Sequence, residues 1–184
     1  MTEPRWLQPD EQVDWMSFVL ATRLLWGQLE RDLQRDAHLP VAYYEILSTL
    51  SEIQGHALSL SQLGTLLQLS PSRLSHALAR LEEMGWVRRE LCGGDRRKWR
   101  AVLTDEGMAV LRAAAPVHVE SVRTHLLDPL TPAQLAQLGE ISQALLAHLA
   151  PGLDVAHAME RGKEDGRIDA DSLDSLDSLS HTEG

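Results

Sequence analysis

The sequence predicts a mainly α fold with one small antiparallel β wing, in which a helix-turn-helix is followed by a hairpin and framed by longer helices. Three observations predict it. Two helix starts lie close together, at Ser59-x-x-Gln62 and Ser70-Pro71. Two alternating runs, Trp86–Leu91 and Trp99–Leu103, flank the turn cluster Cys92-Gly93-Gly94-Asp95. Cations are concentrated on this stretch: residues 70–104 hold eight basic and four acidic residues, and the rest of the chain holds nine and twenty-three.

Ser59 and Gln62 form a capping-box pair, in which each side chain satisfies a backbone N–H of the other's turn. Leu60, Leu63, Leu66 and Leu67 then recur at helical spacing. After a break at Gln68-Leu69, serine at an N-cap and proline at the first helical position open a second helix. It runs to about Met84 and stops at Gly85. Two short helices joined by a tight turn can place the second in a DNA major groove. On that helix Leu74, Ala77, Leu78 and Leu81 share an inward side. Ser72, His76 and Ala79 fall opposite, with Arg73, Ser75 and Arg80 on the flanks. Such groups can bond base edges and phosphates, although a merely solvated face has the same composition.

The hairpin shifts the balance toward DNA. Its tip carries Arg96, Arg97 and Lys98, with Arg100 just behind. Cations gathered on one helix and one hairpin of an otherwise acidic chain form an electrostatic footprint for phosphate.

These residues also carry a resemblance. Asp95-Arg96-Arg97-Lys98-Trp99-Arg100, followed by Leu103-Thr104-x-x-Gly107, resembles the D-x-R-x-x-R…L-T-x-x-G signature of the MarR-type winged-helix transcriptional regulators. The preceding Arg80-Leu81-Glu82-x-x-Gly85-Trp86-Val87-Arg88-Arg89 is similar to the family's run into the wing. The resemblance covers about residues 10–150. It implies a homodimer on a pseudo-palindromic operator, most often a repressor. It also implies that Arg97 enters the minor groove from the wing tip and that an ion pair from Asp95 orients it. Lys98 departs from the acidic or small residue often found at its position and adds a cation to the wing. The family's small aromatic or phenolic effectors imply a pocket between the first, second and fifth helices, for which Trp15, Phe18, Tyr44 and Leu47 are the candidates.

Around this centre the remaining elements follow in order. Asp10 is expected to cap a long helix from about 11 to 36 with Trp15, Phe18, Val19, Leu25, Trp26, Leu29 and Leu33 on a broad apolar stripe. His38-Leu39-Pro40 breaks it, and Val41–Ile53 forms a second helix. Gln54-Gly55-His56 turns into a short strand edge at Leu58–Leu60. After the wing, Thr104 or Asp105 caps a helix with a kink expected at Pro116. Thr131-Pro132 starts a final amphipathic helix through Leu149. The long first and last helices have no partner in a single winged helix of this size, so a symmetric dimer built from about 10–36 and 105–150 is expected. Residues 1–152 form one domain, whose DNA-reading part is 59–104. Residues 153–184 carry nine acidic and three basic residues and read as a disordered acidic tail, with weak pairing to the basic wing as a secondary reading.

Composition narrows the function classes. A net charge of −10 argues against a general nucleic-acid coat or a binder of anionic membranes. The single cysteine, Cys92, excludes a disulfide framework and any Cys-x-x-Cys site; beside arginines it is a candidate redox thiol. His118 and His125 lack companions at metal spacing and read as interface histidines, so no metal or cofactor is expected. No signal peptide or membrane span is apparent, and a cytoplasmic protein is expected. Nucleophile elbows, zinc-protease motifs and phosphate loops are absent, which argues against an enzyme. The expected function is a sequence-specific, ligand-responsive DNA-binding regulator. The alternatives are an effector-binding dimeric interaction protein and a thiol sensor acting through Cys92.

Overall fold

The computed structural model describes residues 3–91 and 99–150. Cys92 and the wing-tip residues Asp95, Arg96, Arg97 and Lys98 lie outside the described residues, as does the expected acidic tail.

Helix α1 spans Pro9–Asp32. Gln8 rather than Asp10 occupies the N-cap, and its N–H donates to Glu11 Oε2 at 2.8 Å. Pro9 supplies the fixed φ of a first helical position, which moves the start forward of Asp10. The end of α1 widens into a π-helical turn at Leu33–Ala37 and closes on His38 in the left-handed region, with φ 52°. Pro40 then caps α2, Val41–Glu52.

A turn through Gly55 leads into β1, Ala57–Ser59. The two short helices follow as expected. Helix α3, Leu60–Leu67, is capped by Ser59, whose Oγ accepts from Gln62 N at 3.2 Å, while Ser59 N donates to Gln62 Oε1 at 3.1 Å. Helix α4, Pro71–Glu83, is capped by Ser70. Gly85, at φ 74°, takes the conformation that a residue with a Cβ would resist and turns the chain into the wing. Strand β2, Val87–Leu91, pairs antiparallel with β3, Trp99–Leu103, and β1 adds to the far edge of β3.

Helix α5, Asp105–Val122, continues through Pro116 without interruption. The departure from α geometry comes later, in a π-helical turn at Arg123–Leu127. Helix α6, Pro132–Leu149, starts at the Thr131 cap and has no buried residue.

The core sits among α2, α3, α4, the sheet and one face of α5. Ile46, Leu47, Leu50, Leu63, Leu78, Leu81 and Ala101 are fully buried. Helix α1 joins this core only at its end, through Leu29 and Leu33. Its outer part leaves Trp15, Met16, Phe18, Leu24 and Trp26 exposed, and α6 leaves Ile141, Leu145 and Leu149 exposed.

Candidate nucleic-acid interface

Helix α4 presents two faces, as its periodicity requires. Leu74, Leu78 and Leu81 are 4%, 0% and 0% exposed, and Ala77 is half-buried. Ser72, Arg73, Ser75, His76 and Arg80 are exposed, whereas Ala79 is half-buried. The structure thus gathers the five expected recognition residues on the solvent side of one helix. Arg80 is not free there: its Nη1 donates to Glu83 Oε2 at 2.7 Å. Tyr43, near the start of α2, lines a groove with His76, Ala79 and Arg80. No spacing rule within α4 reveals Tyr43, because it arrives from another helix.

The wing is clamped to α4 in two places. Glu82 Oε1 accepts the backbone N–H of Arg89 at 3.0 Å, and its carboxylate pairs with the Arg89 guanidinium. Thr104 makes the second clamp. Its hydroxyl is shared between the carbonyls of Gly85 and Trp86, at 2.7 and 3.0 Å, and accepts from Gly107 N at 3.0 Å. Gly107 is buried so tightly that a Cβ would fall onto the Trp86 carbonyl. The L-T-x-x-G run is therefore a buckle that seats the returning strand and α5 on the end of α4.

Of the expected wing cations, Arg100 alone is among the described residues. It stands opposite Glu90 in the β2–β3 register, and its Nη2 lies 3.2 Å from Glu90 Oε2. Arg88 Nη2 reaches the other carboxylate oxygen at 2.7 Å. Arg100 first, and Arg88 with it, holds the Glu90 carboxyl below its ordinary range. Neither Arg88 nor Glu90 emerges from the sequence as a site residue, although an alternating charge row on one strand face was the available signal.

The four expected effector-pocket residues are not brought together. Tyr44 and Leu47 are core residues, 7% and 0% exposed. Trp15 and Phe18 stay more than half exposed on the outer part of α1, with their rings 6.5 Å apart. Of the three aromatic residues in this grouping, Tyr44 alone is packed into the core.

An unanticipated cleft of about 550 Å³ lies between the end of α1 and α5. At its base Asp32 is 5% exposed yet fully engaged. Its Oδ2 accepts from Ser121 Oγ at 2.6 Å and meets His125 Nε2 at 2.9 Å, while Gln28 and Arg35 reach Oδ1 at 3.0 Å each. The Ser121 bond chiefly, against the opposing effect of burial, holds the Asp32 carboxyl below its ordinary range. His125 is thus satisfied within the chain by Asp32. His118 is different: its ring packs 4.4 Å from the Tyr44 ring, and its buried Nδ1 has no partner among the described residues. Burial lowers its pKa. Among the described residues no group of His, Cys, Asp and Glu could hold a metal ion, and no helix is long and apolar enough to cross a membrane.

Comparison with known proteins falls on the same elements. Residues 39–98 match the MarR family. The HTH-type transcriptional regulator PecS of Dickeya dadantii (strain 3937) is 36% identical over 107 residues, 58% of this chain and 64% of that protein, so the match spans less than two thirds of this relative. Sco3205, a MarR family transcriptional regulator from Streptomyces coelicolor solved in complex with DNA, is 48% identical with a TM-score of 0.75, over 82% of this chain and 94% of that one. AbsC, a MarR family transcriptional regulator from the same organism, is 44% identical with a TM-score of 0.72, over 79% of this chain and 98% of its own. The capped helix pair, the wing clamped by Glu82 and Thr104, and this degree of identity over nearly the full length of two solved regulators establish that the chain belongs to the MarR family of transcriptional regulators.

Proposed function

We propose that the protein is a sequence-specific DNA-binding repressor that acts as a homodimer on a pseudo-palindromic operator. The observation that carries this reading is the exposed row Ser72, Arg73, Ser75, His76 and Arg80 on α4, backed by a buried leucine face and clamped to a cationic wing. Two such helices, related by a two-fold axis, enter successive major grooves on one side of the duplex. Arg96, Arg97, Lys98 and Arg100 grip the flanking backbone and minor groove, with Asp95 orienting Arg97. The DNA complex of Sco3205, at 48% identity, supports the same use of this fold here. The dimer joins the outer part of α1 to α6, which otherwise leave Trp15, Trp26, Ile141 and Leu149 in water.

The proposed effector is a small aromatic or phenolic molecule. The cleft between α1 and α5 suits it better than the grouping of Trp15, Phe18, Tyr44 and Leu47. Pro116 and Val117 give it an apolar wall, and Glu120 and Thr124 bring polar groups to its lining. Binding there favours a spacing of the two heads that fits DNA poorly, and affinity falls. The test is selection of bound duplexes from random sequence, followed by gel shifts at several salt concentrations with and without simple phenols and aromatic acids. Failure to enrich any site would refute the regulator reading. Enrichment without release by any such compound would refute only the effector part.

A further inference from the structure

We propose that Arg88, held beside Arg100 by Glu90, extends the wing's phosphate grip along its outer face; this rests on the DNA-binding reading above.

The register fixes the geometry. Arg89, paired with Ala101, turns toward α4, where Glu82 takes up both its guanidinium and its backbone N–H. Arg88, Glu90 and Arg100 therefore lie on the other face of the hairpin, because strand side chains alternate. Glu90 is 31% exposed and stands between two arginines that are 60% and 45% exposed. Each guanidinium commits one nitrogen to Glu90 and retains further N–H donors. The cluster keeps one net positive charge, with two planar forks already aimed outward. A backbone phosphate is the ligand that suits it: an anion with several acceptor oxygens and no need for base-specific geometry. Because this face points away from α4, the phosphates it meets lie outboard of the major groove that α4 reads.

Glu90 is a positioning residue in this scheme. A lone exposed arginine loses rotamer freedom when it binds. An arginine already anchored on Glu90 has lost much of it before DNA arrives. Bare Coulomb reasoning predicts the opposite, that removing a negative charge beside phosphate tightens binding.

The experiment uses the full chain and a duplex that the unsubstituted protein selects from random sequence. Binding is titrated across a salt series with that duplex and with one trimmed at both flanks. Arg88→Ala and Arg100→Ala are each expected to weaken binding to the long duplex about three- to tenfold and to lower the slope of log affinity against log salt by about 1. On the trimmed duplex both losses should shrink. Glu90→Gln, which removes the charge and keeps the shape, is expected to weaken binding to the long duplex about threefold. A fold defect alone would lower affinity equally on both duplexes and leave the salt slope unchanged, so that pattern overturns the proposal. Unchanged or tighter binding by Glu90→Gln overturns it as well. If the unsubstituted protein selects no duplex, the DNA-binding reading falls, and this inference falls with it.

Discussion

At Gly107 a single hydrogen atom decides whether the wing can close. Any larger side chain meets the Trp86 carbonyl and the Leu103 side chain. Gly107→Ala should therefore destabilise the fold by about 1–3 kcal/mol, the range for overpacking, as measured by urea denaturation. At His118 the outcome depends on pH. Its folded pKa lies below the ordinary 6.5 because burial disfavours the charged ring. The unfolded chain therefore takes up the proton first, so this stability is fully present above the unfolded value and is lost as pH falls through the folded one. Between pH 7.5 and about 5, the unsubstituted protein should lose more stability than His118→Phe, and equal losses would contradict the assignment. On α4, Arg73→Ala and, to a lesser degree, His76→Ala should relax base preference by about 1–3 kcal/mol at one position. Uniform weakening on all duplexes would move both residues from base readout to phosphate contact.

Elements whose causes are local were legible in the sequence. The caps at Ser59, Ser70, Thr104 and Thr131 each found their backbone N–H three residues on. The inward leucines of α4 followed from spacing alone. What was not legible comes from contacts between elements. Spacing rules flag Asp32 only weakly, and its partners Ser121 and His125 lie 89 and 93 residues away. Its one local sign was an acid on the stripe that carries Leu29 and Leu33. The two π-helical turns had no sequence signal, and spacing alone did not separate the buried Tyr44 and Leu47 from the exposed Trp15 and Phe18. The clamp between α4 and the wing yields a prediction at this scale. Glu82→Ala removes a partly exposed pair that contributes about 0–1 kcal/mol to folding and the acceptor of one backbone N–H, about 1 kcal/mol more, so the melting temperature should fall only modestly. DNA affinity should fall because the wing is no longer held at a fixed angle to α4. A large drop in melting temperature with unchanged affinity per folded molecule would show the clamp to be structural only.

Over the whole molecule, charge and apolar surface are segregated. The cations concentrate on α4 and the wing, while uncovered apolar residues concentrate on the outer part of α1 and on α6. Under the proposed function the first region meets DNA and the second packs on another copy of the chain. Ile141→Asp with Leu145→Asp should therefore give a monomer in sedimentation, whereas truncation after Gly152 should leave the dimer intact. The most direct test of the two-headed DNA reader is the selection of bound sites from random duplex DNA by the purified full chain. The account predicts an enriched pseudo-palindrome whose half-sites lie about 10 base pairs apart, centre to centre, as two recognition helices on one face of the duplex require. Enrichment of a single unrepeated half-site, or of no sequence at all, would contradict it.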